Sequence, residues 1–301
     1  MKLARWRDRG GTEYVGEVTA DGLVAVARIG KGGEGDAAVV NFARRRQTPL
    51  PIADPVPESS VQLVAPIRRP PAIRDFYAFE QHVATARRGR GLQMHPDWYD
   101  LPVFYFSNPH TVVGPDEAVT VPRTQALDYE LEVAAVVGVD ARDLDEREAL
   151  DAIVGYTIFN DFSARDLQRR EMALGLGPAK GKDFASALGP YLVTPDEMGG
   201  SPDRPSAAMV ARVNGQEWSR GELADIHHPF PSLLAYASRD SVVRAGDIIG
   251  SGTVGTGCIL ELSLTHGEDR YPWLQAGDVV ELEVEGIGVL RNHIVTGVPV
   301  P

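Results

Sequence analysis

Acidic residues at every second position mark the segment Leu127-Asp128-Tyr129-Glu130-Leu131-Glu132-Val133-Ala134-Ala135-Val136-Val137. In a strand, alternation puts Asp128, Glu130 and Glu132 on one face and Tyr129, Leu131 and Val133 on the other. From Val133 to Val137 the run is apolar on both faces, the pattern of a strand buried within a sheet. Carboxylates two residues apart on a strand lie roughly 6–7 Å from one another. At an effective dielectric of ~20 their repulsion costs on the order of 2.5 kcal/mol per pair. A cation offsets that cost, and carboxylate oxygens are hard ligands suited to Mg²⁺, Mn²⁺ or Ca²⁺. A solvated acidic face is the other reading of this strand taken alone. A second carboxylate, Glu261, stands among Ile259, Leu260 and Leu262, where an unpaired buried charge is costly.

The elements around these residues are short strands punctuated by turns. Tyr14–Val18, Leu23–Ala27 and Val61–Val64 read as strands, with the glycine-rich Gly30–Gly35 as a flexible loop between the second and third. Pro66, Pro70 and Pro71 then mark a boundary, so residues 1–68 are expected to form a small N-terminal β domain ahead of a larger domain over 69–301. Asp143–Ala152 has helical character, and Ile153–Asn160 is a strong strand ending at Asp161. Ser163 is placed to cap a helix, with Asp166 three residues on. Val210–Val213, Asp247–Ile249, Cys258–Leu264 and Val279–Val284 read as further strands. The glycines of Gly250–Gly257 lack the Lys-Ser/Thr ending of a phosphate loop and mark a close approach of backbone beside a site. Regular βαβ alternation is missing, which argues against Rossmann and TIM architectures.

Composition narrows the function. The 301 residues carry 30 basic and 42 acidic side chains, a net charge of −12, which speaks against nucleic-acid or anionic-membrane surfaces. Cys258 is the single cysteine, so neither a disulfide framework nor a cysteine zinc site is expected. The first residues lack a signal-peptide pattern and no run reaches membrane-spanning length, so a cytoplasmic location is expected.

Leu127–Glu132, followed by Asn160-Asp161-Phe162-Ser163-Ala164-Arg165-Asp166-Leu167-Gln168, resembles the fumarylacetoacetate hydrolase family. Gly181-Lys182-Asp183-Phe184, Gly250-Ser251-Gly252-Thr253 and the closing Ala276-Gly277-Asp278-Val279-Val280 to Glu285-Gly286-Ile287-Gly288 fit it in order, so that the likeness runs from about residue 70 to the end. Asp75-Phe76-Tyr77-Ala78-Phe79-Glu80-Gln81-His82 and Gly257-Cys258-Ile259-Leu260-Glu261-Leu262-Ser263 resemble the segments carrying the catalytic His and the Glu that orients it. The resemblance implies a β-rich α+β fold: a mixed β-sandwich or β-roll catalytic domain, usually dimeric, behind a small N-terminal β domain. It implies metal ligands Asp75, Glu130, Glu132 and Asp161, a His82–Glu261 dyad, and Lys182 as the cation beside the metal, with Ser186 a lesser candidate. Tyr77, Arg165, Gln168 and Thr253 become substrate contacts, and the cofactor is Mg²⁺, with Mn²⁺ or Ca²⁺ as alternatives. Two positions depart from the pattern. Gly91 stands where the family clamps substrate with an Arg, with Arg87, Arg88 and Arg90 competing nearby, and Met172 replaces a substrate-contacting Tyr.

The implied reaction is hydrolysis of a C–C bond in a β-diketo acid; the alternative on the same metal site is a keto-acid decarboxylase, hydratase or isomerase. Either way the expected partner is a small keto acid, with a homodimer as the assembly and neither nucleic acid nor membrane involved. Hydrolysis needs an activated water and stabilisation of an enolate leaving group, which a histidine base and a Lewis-acid metal supply. Lys182 would add positive charge where the oxyanion grows. The segment Ala84–Tyr99, rich in Arg and Gly, is a candidate lid. His95, His110, His227, His228, His266 and His293 carry no comparable pattern, and the His227-His228 pair is expected in a loop before Pro229.

Overall fold

A computed structural model describes residues 1–30 and 34–297 of the chain. The fold is the mixed, β-rich α+β architecture expected from the resemblance. The large sheet runs in the order Gly22–Ile29, Glu13–Thr19, Lys2–Arg7, Ser186–Val193, Ile153–Asp161, Leu131–Val137, Ile248–Gly250, Ile73–Phe76, Phe104–Ser107. Neighbours are antiparallel except Ile248–Gly250 beside Ile73–Phe76. A second sheet orders Gln216–Glu222, Ala208–Val213, Val279–Val284, Gly288–Val295 and Ala118–Thr120. Every residue of Leu131–Val137 is buried, as are all those of Ile153–Asp161 beside it. Apolar side chains on both faces of these central strands hold them between two cores.

The N-terminal strands continue this large sheet. Lys2 and Leu3 pair with Val193 and Leu192, and Leu3 and Val15 share a core with Ala134, Val136 and Phe159. A boundary at residue 68 therefore marks where the chain leaves these strands, not a break in the sheet. The segment is also not purely β. Helix α1, Glu34–Arg45, begins inside the stretch expected to be a loop; positions 31–33 of that stretch lie outside the described residues.

Among the described residues five more α-helices follow: α2 (Glu80–Arg88), α3 (Glu146–Ala152), α4 (Arg165–Ala173), α5 (Phe230–Ser238) and α6 (Ile259–His266). Helix α3 starts on a reciprocal capping box between Asp145 and Glu148. Ser163, expected to cap α4, instead pairs in a strand with Asp128, and its Oγ donates to the Asp161 carbonyl. Of the stretch Cys258–Leu264 expected as a strand, all but Cys258 belongs to helix α6. Its apolar residues alternate with Glu261 and Ser263 and so imitate a strand, but the Asp128 carboxylate accepts from the backbone N–H groups of Ile259 and Leu260 at 2.7 and 3.1 Å. A carboxylate on free N–H groups at a helix N-terminus favours the helix, and this one comes from 131 residues away. Among the described residues no helix is long and apolar enough to cross a membrane.

Candidate active site and metal centre

The carboxylates gather where neighbouring strands end together. Asp75 lies on Ile73–Phe76, opposite Tyr105 on one side and Gly250 on the other. Only glycine fits at 250, since a Cβ there would stand 2.3 Å from Asp75 Oδ1. This is the close approach expected of the glycine-rich segment. Glu132 pairs opposite Phe159, and Asp161 closes its strand opposite Ser186. Glu130 sits one step before the buried strand, its N–H donating to Asn160 Oδ1 at 3.0 Å. Asp75, Glu130 and Glu132 each offer an oxygen within 4.8 Å of the others. Asp161 joins them through shared partners: Tyr105 donates to both Asp75 (3.1 Å) and Asp161, and Lys182 donates to Glu130 and to Asp161 (2.6 Å).

Two cations serve this buried acid cluster. Arg165 binds Asp128 at 2.7 Å and Glu130 at 2.8 Å, and its Nη1 donates to Gln168 at 3.0 Å. Burial pushes the Glu130 carboxyl up, but Lys182 and Arg165 outweigh it and hold the group below the usual carboxylate range. Among the described residues Asp75 and Glu132 lack a cation in direct contact. Asp75 is pushed up to about 7 by burial and then by Asp161. Burial, then Asp75, raises Glu132 well above its ordinary value, and burial raises Asp161 to about 6 against the pull of Lys182. Asp75 Oδ1, Glu132 Oε2 and Asp161 Oδ1 are buried and have no hydrogen-bond partner. Orphaned buried carboxylate oxygens are rare in native folds. Asp75 and Glu132, which hold two of these oxygens, also belong with Glu130 to the cluster whose oxygens lie within 4.8 Å of one another, a set of hard ligands that fits a divalent cation such as Mg²⁺, Mn²⁺ or Ca²⁺.

Helices α2 and α6 bring the next pair together. His82 Nδ1 hydrogen-bonds to Glu261 Oε1, and the N–H of Thr256 donates to Glu261 Oε2 at 3.1 Å. With Nδ1–H engaged by the carboxylate, Nε2 is the basic nitrogen of the ring. Tyr77 meets the His82 ring edge-on at 5.5 Å, and burial raises its hydroxyl to about 12. Cys258 also lies near Glu261, and burial pushes its thiol well above its ordinary value.

These groups line a cavity of about 850 Å³ that contains Asp75, Glu130, Glu132, His82, Tyr77 and Lys182. Arg165, Gln168 and Thr253 line it too, though each already has a partner; Thr253 Oγ1 donates to Glu132 Oε1 at 3.2 Å. Asp161 and Ser186 are fully buried beside it, and Ser186 Oγ contacts Ser107 Oγ at 3.2 Å. Lys182 is not a free cation. Two of its three N–H donors go to Glu130 and Asp161, which leaves one for a ligand. Of the three competing arginines only Arg90 lines the cavity; Arg87 Nε donates to the Gln93 carbonyl at 2.6 Å. The candidate lid is anchored at both ends, by α2 at the start and by Trp98 at the finish. Trp98 is buried and its indole N–H donates to the Tyr77 carbonyl at 2.8 Å. His228 Nε2 in turn bonds the Trp98 carbonyl at 2.8 Å, so the His227-His228 pair has partners that its sequence setting did not suggest. Tyr105 and Asp128 are the site residues that sequence reasoning left out.

A sequence model of the family described as "Fumarylacetoacetate (FAA) hydrolase C-terminal" matches residues 72–295. The chain belongs to the fumarylacetoacetate hydrolase family. Its relatives are enzymes of more than one kind. The mitochondrial oxaloacetate tautomerase FAHD2A of Homo sapiens is 28% identical over 87% of this chain and 77% of its own length. The 2,4-didehydro-3-deoxy-L-rhamnonate hydrolase of Sphingomonas sp. is 30% identical over 64% of this chain and 65% of its own. Among solved structures, the fumarylacetoacetate hydrolase of the psychrophile Exiguobacterium antarcticum superposes with a TM-score of 0.76 at 28% identity, covering 99% of this chain and all of that one.

Proposed function

We propose that the chain is a divalent-metal-dependent hydrolase that cleaves a C–C bond in a β-diketo acid of the fumarylacetoacetate or acylpyruvate type. The observation that carries this reading is that His82, hydrogen-bonded to the buried Glu261, lines the same cavity as Asp75, Glu130 and Glu132. Asp75, Glu130, Glu132 and Asp161 would hold the ion, with Mg²⁺ the first choice. When bound, it supplies Lewis-acid polarisation of the substrate oxygens. His82 Nε2 takes a proton from water, while Glu261 fixes the ring's tautomer and offsets the imidazolium charge. Lys182 and Arg165 keep Glu130 ionised, and Lys182 offers its remaining N–H to the reacting oxygen. Tyr77, Gln168 and Thr253 border the substrate.

A second reading rests on the likeness to a tautomerase: a keto-acid isomerase or tautomerase, in which His82 moves a proton on carbon and no water enters. A decarboxylase or hydratase would share the metal site. Metal-stripped and Mg²⁺-restored protein, assayed on fumarylacetoacetate, a panel of acylpyruvates and oxaloacetate with products read by mass, separates them. Hydrolysis predicts metal-dependent release of two acids and a loss of about 10²–10⁴-fold in kcat for His82→Ala. An isomer of unchanged mass, loss of CO₂ alone, or full turnover by His82→Ala would overturn it.

A further inference from the structure

The cavity has two chemically different sides. Helix α4 presents Gln168, Arg169 and Met172 to it. Arg90 brings its guanidinium to that side, with Nη1 4.0 Å from Met172 Sδ. Among the described residues neither Arg90 nor Arg169 has an acidic partner, and both are exposed at the mouth. The facing side is a wall of Ala86 and Gly89 from the α2 end, Leu92, and Leu260 and Leu264 of α6. None of these five side chains carries a charge or a hydrogen-bonding group. Gly89 closes the wall, since a Cβ there would stand 2.6 Å from Leu264 Cδ1. Leu92 and Leu264 are each 48% exposed, apolar surface that a ligand would cover.

We propose that this wall is a subsite for a hydrocarbon acyl chain. The substrate is then a keto acid whose acid end faces Arg90 and Arg169 and whose far end is an alkyl group lying along α6. The inference rests on the keto-acid reading given above. It makes the far end of the substrate apolar rather than a second carboxylate. Leu260 and Leu264 are one helical turn apart, so the wall extends roughly 6 Å, the length of about four or five methylenes.

Two ligand series on the Mg²⁺-loaded protein test it. The first is turnover of acylpyruvates with acyl groups from acetyl to octanoyl, beside equal-length analogues ending in a carboxylate. The second is calorimetric binding of simple 2-oxo acids, from 2-oxopentanoate to 2-oxooctanoate, and of 2-oxo dicarboxylates of equal length. Neither group in the second series has a 1,3-dicarbonyl to cleave. The expected result is a gain of about three- to fourfold per methylene in both kcat/KM and affinity, levelling off once the wall is covered. Leu264→Lys should flatten that climb and raise the relative affinity for the dicarboxylates. If 2-oxo acids show the climb but no acylpyruvate is cleaved, the hydrolase reading fails and the subsite stands. If acylpyruvates are cleaved with no dependence on chain length, or with preference for a terminal carboxylate, the subsite is refuted and the hydrolase reading stands. Failure of every keto acid to bind would refute both.

Discussion

Replacing Glu132 by Gln separates a metal ligand from a structural carboxylate, because the two roles predict opposite signs. One Glu132 oxygen accepts from Thr253, and the other has no partner. Gln keeps the volume and an acceptor for Thr253 while removing the charge. Its nearest uncompensated neighbour is Asp75, within 4.8 Å. At an effective dielectric of ~20 the repulsion between two ionised groups at that distance is about 3.5 kcal/mol. Partial protonation lowers that figure, since a carboxyl that keeps its proton feels none of it, and a shorter separation raises it. Unfolding entropy of about 2.1 cal/mol/K per residue gives roughly 0.6 kcal/mol per degree for this chain, so a gain of about 3.5 kcal/mol corresponds to about 5 °C. The metal-free Glu132→Gln protein should therefore melt at the same temperature as the parent or up to about 5 °C higher. The parent should gain about 4 °C in Mg²⁺ at 100 times its Kd, and the variant should lose most of that gain. Differential scanning with and without Mg²⁺ reads both quantities. A metal-free variant melting several degrees below the parent, or one keeping the full Mg²⁺ shift, would show that Glu132 is a structural acceptor and that the cation does not use it.

Three further substitutions probe the neighbouring groups. Lys182→Met leaves Glu130 and Asp161 buried with one cation fewer, and breaking such a pair costs about 3–5 kcal/mol; scanning calorimetry should show a fall of several degrees, whereas an unchanged melt would mean the ammonium neutralises nothing. Glu261→Gln removes the charge that steadies a protonated His82 while leaving the carboxylate cluster intact. It should lower kcat by about 10²–10⁴-fold with little change in Mg²⁺ affinity by calorimetry, and equal kcat would remove Glu261 from the reaction. For His228, burial lowers the pKa from its ordinary value of 6.5, His227 adds to that shift, and the Trp98 carbonyl and Asp100 oppose it. The unfolded chain then takes up the proton first, so this contribution to stability is complete above pH 6.5 and is lost as the pH falls through and below it. His228→Gln should lose less Tm than the parent between pH 7.5 and 5, and parallel losses would refute the assignment.

Charge is the part of this site that a sequence cannot conceal. Glu130 and Glu132 stand in or beside a run whose residues are all buried, and Glu261 among leucines, so each must find a partner or a cation wherever the chain folds. That obligation marked Glu130, Glu132 and Glu261 before any coordinates, whereas Asp75, Asp161 and His82 entered only through the family likeness. The supporting groups carried no such mark. Tyr105 lies between Phe104 and Phe106 and reads as one more core aromatic, although its hydroxyl ties Asp75 to Asp161. Asp128 shares the alternation of Glu130 and Glu132, yet its carboxylate caps α6, a contact across 131 residues that also turns an apparent strand into a helix. The choice among Arg87, Arg88 and Arg90 depends on where α2 stops. The helix ends at Arg88 with Gly89 as its cap, so Arg90 lies beyond the helical phase and swings toward Met172. The wall of Ala86, Gly89, Leu260 and Leu264 is built from residues that any core would use. On the proposed function the reaction would rest on charged residues, some of them costly to bury and legible for that reason, whereas the proposed acyl subsite rests on ordinary apolar residues whose meaning appears only when α2 and α6 meet. Substitutions along that wall should accordingly change which keto acid is accepted while leaving the carboxylate cluster and its affinity for metal as they are.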